Sequence, residues 1–155
     1  MNTIETSATI HINCQPAKVF AYTAELGNDS AWRSEINATI SLHEREGLHH
    51  IVEEDAFLSK KLPHYLTRFI CTVYIQDRKI IYQLVPGSRF FMCNCREVKA
   101  LAPQQTLLRY SLKFDGGIVR HALGIGLPAI VIRCVTRLSM RKYLKKLKLL
   151  LESGQ

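Results

Sequence analysis

The most informative absence in this sequence is that of a long apolar segment. A membrane-spanning helix requires roughly 20 apolar residues, and the stretch that comes nearest, residues 122–132, is too short. The first residues, MNTIETSATIHINC, have neither the basic segment nor the apolar segment of a secretory signal peptide. The cysteines number five, and an odd count favours a reducing compartment over a disulfide framework. We therefore expect a cytoplasmic protein.

The sequence also lacks the motifs of several catalytic and cofactor-binding sites. It has no nucleophile elbow and no Ser-His-Asp order. Gly124 and Gly126 follow no strand and precede no Lys-Ser/Thr pair, so they do not form a phosphate loop. Neither possible metal-ligand group has the two-residue Cys spacing or the two-pair pattern of a zinc site. These groups are Cys93 with Cys95, and the cluster of His43, Glu44, His49 and His50. We expect no metal and no cofactor.

The length and composition indicate one globular domain. The chain has 155 residues, of which 47% are hydrophobic and 22% charged, values that are ordinary for such a domain. A chain of this length buries enough surface to form one core without a metal or disulfide. We therefore expect residues 1–155 to form a single domain; the sequence does not indicate its oligomeric state.

The positive charge is concentrated near the C-terminal end. Residues 120–152 contain eight basic residues and one acidic residue, and thus +7 of the net charge of +8. Basic charge on one helix is by itself weak evidence for nucleic-acid binding, and we expect none.

The segment 127–151 is predicted to be a long amphipathic helix. Its apolar residues recur at helical spacing and form a seam: Leu127, Val131, Cys134, Leu138, Met140, Leu144, Leu147 and Leu151. Its basic residues follow another stripe, the basic ridge, which comprises Arg133, Arg137, Arg141, Lys145 and Lys148. Pro128 suits the first helical turn, and Gly154 suits the end.

Most of the remaining chain alternates apolar and polar residues with a period of two, which predicts half-buried strands. The first strand lies near residues 4–12, and about six more lie between residues 36 and 114. Two short helices are expected between them, one opened by Pro16 and one over residues 30–34. Because the turns between strands are short, neighbouring strands should be antiparallel. This order predicts an α+β domain.

Four segments in this order resemble the START-like helix-grip superfamily (SRPBCC), in particular its polyketide cyclase/dehydrase branch. The first is Pro16-Ala17-Lys18-Val19-Phe20-Ala21-Tyr22, which is similar to the "P-x-x-V-F-x-Y" helix opening of that family. The others are Trp32, the strand start Arg78-Lys79-Ile80-Ile81-Tyr82, and Thr106-Leu107-Leu108-Arg109-Tyr110. The last segment follows Gln104-Gln105, where family members often have two glycines.

The resemblance implies a curved antiparallel sheet of about seven strands wrapped around the terminal helix. It also implies a cavity between them for a small hydrophobic ligand such as a lipid, polyketide or quinone. Aromatic side chains on inward phases are the candidate ligand-binding residues: Trp32, Tyr65, Phe69, Tyr82, Phe91, Tyr110 and Phe114. The alternative is that these rings fill the interior.

An enzyme of the cyclase or dehydratase kind would need an acid or base in the same cavity. The candidates are His64, Glu97 and the run Glu53-Glu54-Asp55, one member of which must face inward if that strand is regular. No spacing distinguishes a catalytic pair, so the catalytic residue stays unknown. The alternative for each is a solvated surface position.

The basic ridge is the candidate contact for an anionic membrane surface or an acidic partner, since each basic residue near such a surface contributes about 1 kcal/mol. Residues 122–132 could dip into the bilayer beside it, which favours a carrier that exchanges its ligand with membranes. Gly124, Gly126 and Pro128 are the candidate hinge for ligand entry. The alternative is that the ridge is the solvated face of a packed helix.

Overall fold

The computed structural model describes residues 2–42 and 47–154, and the elements follow the predicted order. The strands are β1 (Thr3–Ile12), β2 (Ile36–Ser41), β3 (Ile51–Ala56), β4 (Tyr65–Ile75), β5 (Lys79–Leu84), β6 (Met92–Ala102) and β7 (Gln105–Asp115). The helices are α1 (Pro16–Ala24), a 3₁₀-helix (Leu26–Ala31), α2 (Gly117–Leu123) and α3 (Ala129–Ser153). The sequence pattern does not predict α2.

In the described part of the chain, seven strands form one antiparallel sheet in the order β1-β7-β6-β5-β4-β3-β2. Strands that are neighbours in the chain are therefore neighbours in the sheet, except that β1 pairs with β7, the last strand. The crossover from β1 to β2 contains α1 and the 3₁₀-helix. The predicted α+β helix-grip architecture, with about seven strands and a long C-terminal helix, is confirmed.

The second half of α3 packs on the sheet as the seam predicts. Its buried residues are Met140, Leu144, Leu147 and Leu151. At the C-terminal end of the helix, Lys148 Nζ donates a hydrogen bond to the His11 carbonyl oxygen of β1 at 2.7 Å. The backbone N–H of Asn13 donates to Glu152 Oε2 at 3.0 Å. These contacts hold the end of α3 along β1, and Gly154 ends the helix as predicted.

The first half of α3 turns a different face inward from the one that the seam predicts. Ile132 is buried in a cluster with Ile118 of α2, whereas three predicted seam residues are exposed: Val131, Cys134 and Leu138. The prediction is therefore wrong for this half. The reason is that the buried face of α3 is one continuous stripe, on which Ile132, Met140 and Leu144 are spaced by multiples of four residues, whereas the predicted seam changes phase between Leu138 and Met140. Pro128 precedes the helix as its N-cap and does not lie in the first turn.

Two smaller predictions are also corrected. The second short helix spans Leu26–Ala31 and not residues 30–34, so that Trp32 directly follows it. The sequence also alternates Ile36, Ala38, Ile40 and Leu42 with polar residues, as in a half-buried strand, but Ile40 of β2 and Leu42 directly after it are exposed. The reason is that β2 is the edge strand farthest from β1, on which α3 packs.

The apolar interior consists of two clusters. The larger one includes residues of α1, the sheet and the second half of α3. The smaller one consists of Ile4, Phe114, Ile118 and Ile132, which join β1, β7, α2 and the first half of α3. The helix α3 thus covers two different regions of the interior.

Candidate functional site

A cavity of about 350 Å³ lies between the sheet, α2 and the first half of α3. Its volume is within the range of pockets that hold small molecules. Much of the wall is apolar: Met92, Leu112, Phe114, Ile118, Val119 and Met140. Small side chains face it from three directions: Ala56 and Thr67 of the sheet, Ala122 of α2, and Thr136 and Ser139 of α3. The space exists because these positions carry no large side chain.

Two residues that line the cavity are also exposed and therefore mark its opening. Leu123 at the end of α2 is 38% exposed, and Val135 of α3 is 57% exposed. Ser59, in the connection after β3, donates a hydrogen bond from its Oγ to the Ala122 carbonyl oxygen at 2.5 Å. The opening thus lies between α2 and α3. The candidate hinge residues Gly124, Gly126 and Pro128 form the connection between these helices, and their role as a hinge stays a prediction.

The cavity wall contains three charged residues, Arg33, Glu35 and Glu54. Arg33 Nη2 donates to Glu35 Oε1 at 2.7 Å, and Arg33 Nη1 lies 3.6 Å from Glu54 Oε2. The Tyr143 hydroxyl of α3 donates to the second oxygen of Glu35 at 2.9 Å. The charged part of the wall is therefore connected to α3 as well as to the sheet.

A buried carboxylate, that of Asp29, binds Arg33 and so supports the charged part of the cavity wall. Asp29 of the 3₁₀-helix accepts hydrogen bonds from Arg33 at 2.9 Å and from both terminal nitrogens of Arg96 at 2.7 and 2.5 Å. Arg96 also donates to the Thr23 carbonyl oxygen at 2.6 Å, and its guanidinium lies 5.1 Å from the centre of the Trp32 ring. Bidentate pairing and ring stacking suit a buried arginine. This cluster therefore fixes the position of Arg33 at the cavity.

Glu54 is the inward member of the acidic run in β3. It is 3% exposed, whereas Glu53 pairs with Arg68 at 3.2 Å. Asp55 pairs with His64 Nδ1 at 3.0 Å, and the His64 ring is exposed. The expectation that one of the three carboxyls faces inward is confirmed, and His64 lies outside the cavity wall.

Burial raises the pKa of Glu54 to about 7, because an ionised carboxyl loses its hydration in the interior. Arg33 and Arg96 oppose this rise in the pKa, while Asp29 and Glu35 add to it by like-charge repulsion. Glu97 of β6, the other candidate acid, lies opposite Arg109 of β7 in the strand register and is not part of the cavity wall.

The aromatic residues predicted to bind a ligand divide between two regions. Tyr65 and Phe114 line the cavity, and their contact with a ligand stays a prediction. Four others are buried in the larger cluster and do not line the cavity: Trp32, Phe69, Tyr82 and Tyr110. Phe91 is half-buried and also lies outside the wall. Filled core and open cavity thus coexist in one interior.

The rings of the larger cluster have partners within the protein. Trp32 packs edge-to-face on Tyr110 with 5.6 Å between ring centres. The Tyr82 hydroxyl donates to the Ala24 carbonyl oxygen at 3.0 Å. These rings fix α1 and the segment after the 3₁₀-helix against the sheet.

The basic ridge is mostly on the surface. Arg133, Arg137, Arg141 and Lys145 are exposed, while Lys148 is half-buried and bonded to His11 as described. Arg137 also donates from Nε to the Thr6 hydroxyl of β1 at 3.3 Å. Exposed apolar side chains accompany the ridge at Ile130 and Leu138. No helix of the described chain combines the length and the apolar character needed to cross a bilayer.

The residues considered as metal ligands do not form a cluster in the described chain. No group of three or more His, Cys, Asp or Glu residues with a suitable arrangement occurs there, and His43 and Glu44 lie outside the described residues. His50 is buried with Nε2 at 3.2 Å from Ser41 Oγ. Burial raises the pKa of the Cys95 thiol to about 11, which disfavours the thiolate that metals bind.

Structures of known proteins resemble this one over nearly its whole length. A START superfamily protein from Mycobacterium smegmatis has a TM-score of 0.78 at 13% identity, covering 98% of this chain and 99% of that one. The fold is therefore START-like. The Zhui aromatase/cyclase from a Streptomyces species has a TM-score of 0.69 at 12% identity, covering 99% of this chain and 93% of that one.

A third similar structure is the di-domain ARO/CYC BexL from the BE-7585A biosynthetic pathway, with a TM-score of 0.67 at 14% identity. The match covers 97% of this chain and 50% of that one. No protein-family model and no curated protein matches this sequence. At these identities the likeness concerns the START-like fold, and function must be argued from the site.

Sequence reasoning missed Arg33, which lines the cavity, and Arg96, which is bound to the same Asp29 carboxylate. Arg33 and Arg96 are buried, although arginine is usually exposed. The only sequence signal was the presence of Asp29 and Glu35 near Arg33. Arg96 lies in a strand whose two phases are both mixed, so its inward direction had no signal.

Proposed function

We propose that this protein binds a small apolar molecule in the cavity between the sheet, α2 and α3. The observation that carries the proposal is a cavity of about 350 Å³ with a largely apolar wall and a few fixed polar groups. Burial of ligand surface there provides affinity at about 25 cal/mol per Å². The ligand enters between Leu123 and Val135, the two exposed residues of the wall.

Titration with the neutral fluorophore N-phenylnaphthylamine tests this function. Its emission rises when it leaves water for an apolar environment, so a saturable rise at one equivalent is expected. Ser139→Trp places a large ring in the cavity wall and should weaken binding at least tenfold. Ser153→Trp is the matched control, since Ser153 is an exposed serine of the same helix.

Two results would refute the proposal. One is the absence of saturable binding by the wild type, and the other is equal binding by Ser139→Trp and the wild type. Native mass spectrometry of the purified protein adds an independent measurement, because a co-purifying apolar molecule should be lost in Ser139→Trp and kept in Ser153→Trp.

A second candidate function, that of a cyclase or dehydratase, is favoured by the carboxyl of Glu54 in the cavity wall. A group with a pKa of about 7 can donate and accept protons at neutral pH, as a general acid or base must. The test is conversion of a linear polyketide probe by the purified protein. Glu54→Gln should abolish turnover and Glu53→Gln, on the outer face, should not. Equal turnover by both variants would exclude this role.

A third candidate, a carrier that docks on anionic membranes, is favoured by the exposed apolar residues beside the cavity opening. Leu123 and Val135 lie there together with Ile125 and Ile130, all exposed, and the basic ridge is adjacent on α3. Such a surface suits acidic lipids, because apolar side chains can enter the interface while basic ones meet the headgroups.

Co-sedimentation with vesicles containing phosphatidylserine tests the docking surface. Arg137→Glu combined with Arg141→Glu should reduce the bound fraction at least tenfold and leave folding intact. Lys99→Glu combined with Lys113→Glu makes the same charge change at exposed positions of β6 and β7. Binding that ignores both salt and lipid charge would eliminate this candidate.

A further inference from the structure

The two outer strands of the sheet differ in what lies against them. Along β1 lies α3, of which Arg137 and Lys148 both donate hydrogen bonds to that strand. β2 ends the sheet on the opposite side, and among the described strands only β3 is its neighbour. An open edge of this kind usually carries charged residues or proline, which prevent it from pairing with another chain.

β2 has none of these protective residues. Residues 36–42, INATISL, contain no charge and no proline, and their isoleucines and threonine favour extended structure. Two of the apolar side chains are exposed, Ile40 by 58% and Leu42 by 44%. The strand is therefore suited to pairing with a further strand at its outer edge.

The hydrogen bonds of β2 show which of its backbone groups face that edge. The backbone N–H of Leu42 donates to the Ile51 carbonyl oxygen at 3.0 Å, so these two residues form a hydrogen-bonded pair of the β2–β3 ladder. Such pairs alternate with pairs that are not hydrogen-bonded to each other, and the register makes Ile40 and Glu53 the next bonded pair. The N–H and C=O of Thr39 therefore point away from β3, toward the outer edge.

The side chains of β2 are apolar on the outer face of the sheet. Ile40 lies opposite Glu53, an outer-face residue of β3, and because side chains alternate along a strand, Ala38 and Leu42 share that face. Suppose that a second β2 strand runs antiparallel to the first, with Thr39 opposite Thr39. Ala38 of each strand then lies opposite Ile40 of the other.

This arrangement is symmetric, as the interface of a dimer of identical chains requires. The two Thr39 residues exchange two backbone hydrogen bonds. Each exposed Ile40 packs beside an alanine, whose small side chain leaves room for it, and such cross-strand apolar pairs stabilise a sheet. The edge is therefore complementary to itself.

The distribution of charge favours a second copy over a charged partner. Residues 120–152 carry +7 of the net charge of +8, and the basic ridge borders β1, so two β2 strands meet without like-charge repulsion between them. The carboxylate of Glu53, beside Ile40, is already paired with Arg68 at 3.2 Å. β2 thus offers little attraction to a nucleic acid or a charged peptide.

We propose that the outer edge of β2 is the interface of a symmetric dimer, in which two β2 strands pair antiparallel about Thr39. The two seven-stranded sheets then continue into each other. This inference is independent of the proposed binding function, because Ala38, Thr39 and Ile40 do not line the cavity.

Sedimentation equilibrium over a series of protein concentrations tests the dimer. The wild type should reach twice the mass of one chain and dissociate on dilution. Thr39→Pro removes the outward N–H without removing a bond to β3, and Ile40→Lys places a charge at the interface; each should raise the dissociation constant at least tenfold. Leu66→Lys is the matched control, since Leu66 is an exposed leucine on the outer face of β4, an interior strand. It should dimerise as the wild type does.

A cross-link tests the register. Two residues that form a hydrogen-bonded antiparallel pair have Cα atoms about 5.5 Å apart, which a disulfide can span. Thr39→Cys should therefore give a covalent dimer on mild oxidation, whereas Leu66→Cys should not. Both are made together with Cys134→Ser, because Cys134 is exposed.

Amide hydrogen exchange of the wild type gives a readout that needs no variant. The Thr39 amide should exchange at least tenfold more slowly in the dimer than in dilute monomer, while the Ile40 amide, bonded to β3, should change little. A wild type that stays monomeric at every concentration refutes the proposal and leaves an extended peptide of another protein as the remaining occupant. A dimer that survives both Thr39→Pro and Ile40→Lys also refutes it, because the copies then meet elsewhere. Growth beyond two chains refutes the closed dimer.

Discussion

The two halves of α3 cover regions of opposite character. Leu144 of the second half belongs to the same core cluster as Trp32 and Tyr110, and the interior there is filled. Beneath the first half, small residues such as Ala56 and Ser139 leave a cavity of about 350 Å³. One helix and one sheet thus combine a stable core with a binding space, and side-chain size decides which half is which.

The charged cluster connects the two regions. Arg96 stacks on Trp32 in the filled half, while Arg33 lines the cavity, and both are held by Asp29. The stability of the core therefore determines how firmly the polar wall of the cavity is positioned.

Removal of the shared carboxylate should have the largest effect. Asp29→Asn leaves the buried Arg96 without a charged partner and removes one of those of Arg33, and we expect the free energy of unfolding to fall by about 3–5 kcal/mol. Urea unfolding followed by circular dichroism measures the change. Asp77→Asn, in the turn between β4 and β5, is the control and should change it by less than about 0.5 kcal/mol. Equal stability of the two variants would show that the cluster does not hold the halves together.

Shortening single leucines of α3 to alanine compares its buried face with its exposed face. Leu144→Ala removes a side chain that is 1% exposed and should cost about 3 kcal/mol through lost burial and a new void. Leu138→Ala makes the same change at a position that is 64% exposed. There the cost should stay below about 0.5 kcal/mol. Similar losses in thermal unfolding would mean that the inward face of α3 is assigned incorrectly.

Glu54→Gln should have a smaller effect than the two changes above. The effect appears in how the free energy of unfolding depends on pH. The pKa of Glu54 in the folded protein, about 7, is above that of an unfolded chain, about 4.3. The stabilisation from the bound proton is therefore complete below the unfolded pKa and is lost as pH rises through the folded pKa.

Between about pH 5 and about pH 8, the wild type should lose on the order of 2 kcal/mol more than Glu54→Gln. Urea unfolding at both pH values measures this difference, and Glu53→Gln should follow the wild type. A wild type and Glu54→Gln with parallel pH profiles would show that Glu54 ionises freely in the folded state.

Much of the architecture could be predicted from residue patterns. The helix opened by Pro16 buries Val19, Phe20, Thr23 and Ala24, whose spacing in the sequence puts them on one face of a helix. The alternation of Ile80, Tyr82 and Leu84 likewise gives a strand in which all three are buried. Such predictions succeed because the period of a helix or strand is local and depends on few neighbours.

The cavity wall was harder to predict, because it depends on contacts between distant segments. Glu54 was one of three adjacent acids, and only the register of β3 selects it as the inward one. Arg33 and Arg96 are separated by more than sixty residues, and they meet because the 3₁₀-helix folds onto β6. The unpredicted α2 supplies part of the cavity wall.

By itself the sequence determined the order of the strands and helices other than α2, the antiparallel sheet and the long basic C-terminal helix, because these follow from local periodicity, turns and charge. Only the tertiary structure decided where the interior is filled and where it is open. It also decided that Glu54, and not Glu53 or Asp55, is the buried carboxyl of the acidic run. Packing and electrostatic balance are properties of side chains from many segments at once, and no local pattern contains them.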